Sequence, residues 1–185
     1  MQLYLVRHTT PAIAKGMCYG QTDVPIDPVF FDQEYELIRT RLPNQIDVFY
    51  SSPLRRCLDL AQALSPVVLQ DKLLMEMNFG DWEMQRWDNI PAEPLNKWMN
   101  DFVQETTPGG ENYIALNLRS TQFIDRLLQL DYQRVCIVTH AGNIRSLISR
   151  VLALPLENSF RIDIQYGAVI QLSVYKDSRL NKLHF

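Results

Sequence analysis

Short apolar segments that stop abruptly at polar residues restrict the fold of this chain more than any other sequence feature. Such segments are rich in strand-forming side chains and predict buried strands. Three of them end at Arg7-His8, at Ser51-Ser52 and at His140, and they cover residues 2–6, 46–50 and 134–139. A fourth run, residues 168–175, alternates in polarity, which is typical of an edge or antiparallel strand.

Amphipathic segments separate these strands, with helical patterns over residues 54–64, 113–130 and 143–154. Strands that alternate with helices predict a three-layer α/β/α fold with a mostly parallel central sheet. The 185 residues fit one domain, residues 1–185. Residues 83–112 predict a small helical lid or cap inserted into that domain, because prolines and three tryptophans, Trp82, Trp87 and Trp98, lie in or beside them.

Composition excludes several classes of protein. A formal net charge of -3 argues against general nucleic-acid binding, although a few arginines in a cleft can still bind an anionic metabolite. The three cysteines, Cys18, Cys57 and Cys136, have no CxxC spacing and indicate free thiols in a reducing compartment. No apolar stretch reaches the length of a membrane span or a signal-peptide core, so we expect a cytoplasmic protein.

Polar residues follow three of the four predicted strands, where open α/β sheets bind their ligands. His8 and His140 each follow a strand directly, and two of three histidines in equivalent places favour a functional reading. A guanidinium group binds phosphate oxygens bidentately. Arg7 and one of Arg55 or Arg56 are therefore candidate phosphate ligands, since the serine turn lets one of the latter point back into the cleft.

Two further features suit a phosphate site. Ala141 and Gly142 open a helix after His140, and the free N–H groups of a helix start attract anions. A carboxyl group beside a phosphate tends to keep its proton and can act as a general acid. Glu76 is one candidate, and the residues alone do not rank it against three others: Asp81, Glu83 and Glu111.

The chain resembles the histidine phosphatase superfamily, also called the phosphoglycerate mutase-like or RHG family. Five motifs carry the resemblance in order through nearly the whole chain: LYLVRHTTPAIAKGMCYGQTDVPI, SSPLRRCLDLA, MEMNFGDWE, PGGEN and VTHAGNIR. The similarity is strongest to a small bacterial branch that contains α-ribazole phosphatases of cobalamin biosynthesis. It implies a phosphoglycerate mutase-like fold and a phosphomonoesterase that needs no metal or other cofactor.

The resemblance also implies a role for each matching position. His8 would accept the phosphoryl group, Glu76 would protonate the leaving oxygen, and three residues would bind the phosphoryl oxygens: Arg7, Arg56 and His140. Arg55 falls at a variable position of the second motif. A substrate loop would contain Tyr19, Gly20 and Gln21.

Several positions depart from the family pattern without removing a catalytic group. They are Thr9, Thr10-Pro11, Ala14, Met84 and Ala141. The expected partner is a small phosphorylated metabolite, with α-ribazole 5′-phosphate as the leading substrate. The alternatives are a broad-specificity sugar-phosphate phosphatase, a phosphoglycerate mutase-like enzyme and, from another class, an inactive phosphate-binding protein. The complete set of matched catalytic residues, which includes the proton donor Glu76, argues against an inactive binding protein. Such a protein needs no proton donor.

Overall fold

A six-stranded mixed sheet forms the centre of the computed structural model, which describes residues 1–184. The strands are β1 (Gln2–Arg7), β2 (Val48–Ser51), β3 (Leu69–Gln70), β4 (Arg134–Thr139), β5 (Val169–Ser173) and β6 (Lys182–His184). Their spatial order is β3-β2-β4-β1-β5-β6. The β3–β2, β2–β4 and β4–β1 pairs are parallel, whereas β5 is antiparallel to both of its neighbours.

Five α-helices accompany the sheet in the described residues: α1 (Pro28–Arg41), α2 (Arg55–Leu64), α3 (Ala92–Asn100), α4 (Tyr113–Leu127) and α5 (Ala141–Leu152). Alternate side chains of β1 explain the layering. Leu3 and Leu5 pack in one buried cluster with residues of α4 and α5, and Tyr4 and Val6 pack in another with residues of α1 and α2. The predicted three-layer α/β fold with a mostly parallel sheet is confirmed.

The helix α1 has no counterpart in the sequence analysis. Its start follows familiar rules: the Asp27 side chain accepts a hydrogen bond from the Val29 N–H, and Pro28 occupies the first turn. Its apolar side chains do not form one stripe, since Ile38 is fully buried while Val29 and Leu37 are exposed. That scatter conceals the helix from a search for amphipathic periodicity.

Residues 83–112 contain α3 and one short 3₁₀ helix, Trp87–Asn89. Trp82, Trp87 and Trp98 pack against one another with ring centroids 6.0 to 6.4 Å apart. Cys18 and Ile90 complete this cluster, which therefore ties the segment to the loop after β1. Among residues 1–184 no helix is both long and apolar enough to cross a membrane.

Candidate active site

A cavity of about 730 Å³ opens at the carboxyl end of β1. Its position follows from the sheet register, because Arg7 pairs with Thr139 and the residues after both strands emerge at one edge. The predicted site residues that line it are Arg7, His8, Tyr19, Arg56, Glu76, Ala141 and Gly142. Three predicted residues lie outside the lining: His140, Gly20 and Gln21. The His140 ring centroid is nevertheless only 5.2 Å from that of His8.

The His8 ring has a defined tautomer. Its backbone N–H donates to the Thr139 carbonyl at 3.0 Å, and its Nδ1 lies 2.7 Å from the Thr9 carbonyl oxygen. A carbonyl oxygen only accepts, so Nδ1 carries the proton and Nε2 holds a free electron pair in the neutral ring. Burial, followed by the positive charges of Arg56 and Arg7, holds the pKa of His8 well below its usual value of 6.5. The neutral, nucleophilic form is therefore favoured near pH 7.

His140 is fully buried and follows β4 as the residue before α5. Its Nε2 lies 2.9 Å from the Ser52 hydroxyl oxygen, and the Cys57 sulfur packs 3.4 Å from the same nitrogen. Burial, then the charges of Arg56 and His8, holds the pKa of His140 well below 6.5. A bound phosphate anion would oppose the second of these causes, the neighbouring positive charge, and would favour the protonated ring.

Arg7 and Arg56 are cations whose hydrogen-bond acceptors in residues 1–184 are backbone carbonyls. The guanidinium of Arg7 donates to the Ile164 carbonyl at 2.5 Å, and that of Arg56, which is fully buried, donates to the carbonyls of Gly20 and Thr22 at 2.6 and 3.0 Å. Neither arginine belongs to an ion pair within residues 1–184. The Nε atoms of both are buried and unbonded in that part of the chain. Buried charges normally have a partner, so this pair is suited to an incoming anion.

The adjacent Arg55 points elsewhere. Its side chain is exposed and lies 4.0 Å from Asp59 on the outer face of α2. The sequence alone did not decide which of these two arginines points into the cleft. In the structure Arg56 lines the cavity and Arg55 faces solvent.

Among the four candidate carboxylates, only Glu76 lines the cavity. Its oxygens accept hydrogen bonds from the Met77 N–H at 2.9 Å and from the Gly142 N–H at 3.1 Å. A Cβ at position 142 would lie 2.3 Å from a Glu76 oxygen, so glycine is required for this approach. The Gly142 N–H, expected to bind substrate, thus binds the carboxylate in this structure.

The other candidates have structural partners. Glu83 accepts from the N–H groups of Gln21 and Thr22 and from the Thr22 hydroxyl, so it holds the loop of residues 19–22. Glu111 forms an ion pair with Arg119 at 2.8 Å. Asp81 is exposed. In the same loop Gly20 touches the main chain closely, because a Cβ there would lie 2.0 Å from the Met77 carbonyl oxygen.

Three polar side chains of the cavity were not anticipated from the sequence. Tyr113 donates to the Gly142 carbonyl at 3.2 Å, Arg145 donates to the Ile162 carbonyl at 2.9 Å, and Tyr166 stacks on Arg7. Burial raises the pKa of Tyr113 to about 12, so its phenol stays neutral. Arg145 follows His140 by five residues on α5, a spacing that the last motif already contained. Tyr166 lies in a loop before β5 and had no such signal.

Comparisons with known proteins agree with this geometry. A family model described as the histidine phosphatase superfamily, branch 1, matches residues 3–184. The adenosylcobalamin/alpha-ribazole phosphatase of Escherichia coli is 32% identical, over 90% of this chain and 87% of its own length. A protein of Hydrogenobacter thermophilus, provisionally named phosphoserine phosphatase 2, is 28% identical over 98% of this chain and 96% of its own.

Solved structures give the same answer for the fold. The crystal structure of the alpha-ribazole phosphatase from Shigella flexneri superposes with a TM-score of 0.88 at 29% sequence identity. The match covers 100% of this chain and 95% of that one. The chain belongs to branch 1 of the histidine phosphatase superfamily and is a phosphatase of that type.

Proposed function

We propose that the enzyme hydrolyses phosphomonoesters in two steps through a phosphohistidine at Nε2 of His8. The single observation that carries this proposal is the environment of that nitrogen. Its electron pair is free because the ring proton is on Nδ1, which donates to Thr9. Two guanidinium groups with no acidic partner among residues 1–184 line the same cavity. A nucleophile beside unpaired cations is the arrangement that phosphoryl transfer needs.

The proposed binding step neutralises the cavity. A doubly charged phosphate group balances Arg7 and Arg56, whose forked donors fit two of its oxygens. His140 and the Ala141 N–H at the start of α5 supply further donors. Negative charge from the phosphate also favours the protonated form of the Glu76 carboxyl group.

Nε2 of His8 attacks phosphorus as the ester P–O bond breaks, and Glu76 donates its proton to the leaving oxygen. Water next attacks the phosphohistidine, and the Glu76 carboxylate accepts its proton. Cleavage of the P–N bond releases inorganic phosphate and restores neutral His8. The Nδ1–H bond to Thr9 persists throughout and keeps the ring in line.

We further propose α-ribazole 5′-phosphate as the substrate. The phosphatases of Escherichia coli and Shigella flexneri that carry α-ribazole in their names support it. The cavity wall supports it independently, because it is rich in aromatic and other apolar side chains: Ile13, Met17, Phe30, Phe79, Trp87 and Phe160. Such a wall suits the flat aromatic base of this nucleotide. In this proposal residues 83–112 form the lid over the base.

One observation favours a second substrate class. Arg145 lines the cavity, stacks 4.8 Å from the Phe160 ring and has no acidic partner within residues 1–184. Its charge remains after a phosphate has balanced Arg7 and Arg56. A carboxylate on the leaving group would pair with it, as phosphoserine would provide, and one relative carries that substrate in its provisional name.

The proposed roles of His8 as nucleophile and Glu76 as general acid predict different responses to a change of leaving group. In buffer with EDTA, His8→Ala should abolish hydrolysis of both p-nitrophenyl phosphate and an alkyl phosphate. Glu76→Gln should lower kcat/KM about 10²- to 10⁴-fold for the alkyl phosphate, whose oxygen needs a proton to leave. It should lower kcat/KM much less for p-nitrophenyl phosphate, which leaves as a stable anion.

Glu36→Gln is the matched control, because it makes the same change at an exposed position on α1, outside the cavity lining and the proposed lid. It should leave both rates unchanged. An equal fall in kcat/KM for the two substrates in Glu76→Gln would contradict the general-acid role. Activity in His8→Ala, or a strict need for divalent metal in the wild type, would overturn the phosphohistidine mechanism.

A substrate panel tests the two substrate classes. We expect kcat/KM to be highest for α-ribazole 5′-phosphate and at least about tenfold lower for ribose 5-phosphate, which lacks the base. Arg145→Gln should not change that ratio. Phosphoserine could instead have the highest kcat/KM, and Arg145→Gln could lower that value to the value for phosphoethanolamine, which lacks the carboxylate. That result would contradict α-ribazole 5′-phosphate as the substrate and support a substrate with a carboxylate on its leaving group.

The lowered pKa values of His8 and His140 predict how stability depends on pH. Between the folded pKa and the unfolded value of about 6.5, the unfolded chain binds more protons. The free energy of unfolding should therefore fall as the pH falls below about 6.5, by at most about 1.4 kcal/mol per pH unit for each ring. Urea unfolding of the wild type and of His8→Asn between pH 5 and 8 measures this pH dependence of the free energy of unfolding. The variant should show the shallower slope below pH 6.5, and identical slopes would contradict the burial of a neutral His8.

A further inference from the structure

Two tyrosine hydroxyl groups meet at the wall of the cavity. The hydroxyl oxygens of Tyr19 and Tyr166 are 2.5 Å apart, although the residues are separated by 147 positions in sequence. Both side chains line the cavity, and the Tyr166 ring centroid lies 5.5 Å from that of His8. Burial, then the bond to Tyr166, raises the pKa of Tyr19, so its phenol stays neutral and can form this hydrogen bond.

Each tyrosine belongs to the segment that holds one arginine of the site. The Arg7 guanidinium stacks 3.8 Å from the Tyr166 ring centroid and donates to the carbonyl of Ile164, two residues earlier. The Arg56 guanidinium lies 5.2 Å from the Tyr19 ring centroid and donates to the carbonyls at positions 20 and 22 of the loop. Each guanidinium group is thus stabilised by a tyrosine ring and by backbone carbonyls instead of by a carboxylate.

The hydroxyl pair is the link between these two segments. Among the hydrogen bonds of residues 1–184, it is the only one that joins residues 19–22 to residues 164–166. Bidentate binding of one phosphate by two guanidinium groups requires their separation to be fixed to a fraction of an ångström. The two segments otherwise reach the cavity from distant parts of the chain.

We propose that the Tyr19–Tyr166 hydroxyl bond is a positioning device that sets the separation of Arg7 and Arg56 for the transferring phosphoryl group. The inference rests on the proposed role of the two arginines as phosphate ligands. It assigns to Tyr166 a function that no motif of the chain indicates, and it assigns to Tyr19 a role in holding the phosphate site rather than in contacting the leaving group.

A double-mutant cycle tests this device. Tyr19→Phe and Tyr166→Phe each remove one partner of the same hydrogen bond and keep the ring over its arginine. Each should weaken binding of inorganic phosphate, measured by titration calorimetry, about 3- to 10-fold. The double variant should be no weaker than either single variant, because the shared bond is already lost. Tyr166→Leu, which also removes the ring over Arg7, should bind phosphate more weakly than Tyr166→Phe.

Tyr35→Phe is the matched control, since its hydroxyl donates to the Ala63 carbonyl near the surface, away from the cavity. It should bind phosphate as the wild type does. Unchanged phosphate affinity in both single variants, or losses that multiply in the double variant, would overturn the positioning role while leaving the proposed function intact. A wild type that binds no phosphate would overturn both.

Discussion

Unpaired positive charge at the bottom of one cavity is the constraint on which the rest of this structure depends. Removing a guanidinium from water without a carboxylate partner costs several kcal/mol. Here backbone carbonyls and tyrosine rings offset part of that cost for Arg7 and Arg56. The remainder is relieved when an anion enters. Burial and then these same charges hold the pKa of His8 below its usual value, which favours the neutral form that the proposed nucleophilic role needs.

The parallel sheet brings this charge together from remote parts of the chain. Because β1 and β4 are adjacent and in register, His8 and His140 leave the sheet side by side. The strand β2 lies on the other side of β4 and delivers Ser52, whose hydroxyl contacts His140. Arg56 follows on the first turn of α2. The ends of three adjacent parallel strands thus bring together four polar side chains that are distant in sequence.

Much of this arrangement was predictable, and the exceptions have physical reasons. Apolar runs that end at polar residues located β1, β2 and β4, because strands of a covered parallel sheet form continuous apolar runs. The helix α1 was missed because its apolar side chains are partly exposed and form no stripe. Composition left Glu76 unranked, since only its tertiary position in the cavity lining, beside Gly142, distinguishes it from the other carboxylates. Tyr166 gave no signal because its function depends on a contact across 147 residues.

The most direct test of the account is the structure of the enzyme with orthovanadate, which mimics the phosphoryl group as it is transferred. We predict vanadium in line with Nε2 of His8, with its oxygens bound by the guanidinium groups of Arg7 and Arg56 and by His140. The Nδ1 bond to the Thr9 carbonyl should persist. Vanadate bound away from His8, or through Nδ1, would contradict the claim that two arginines without an ion pair in residues 1–184 hold the phosphate against a neutral imidazole.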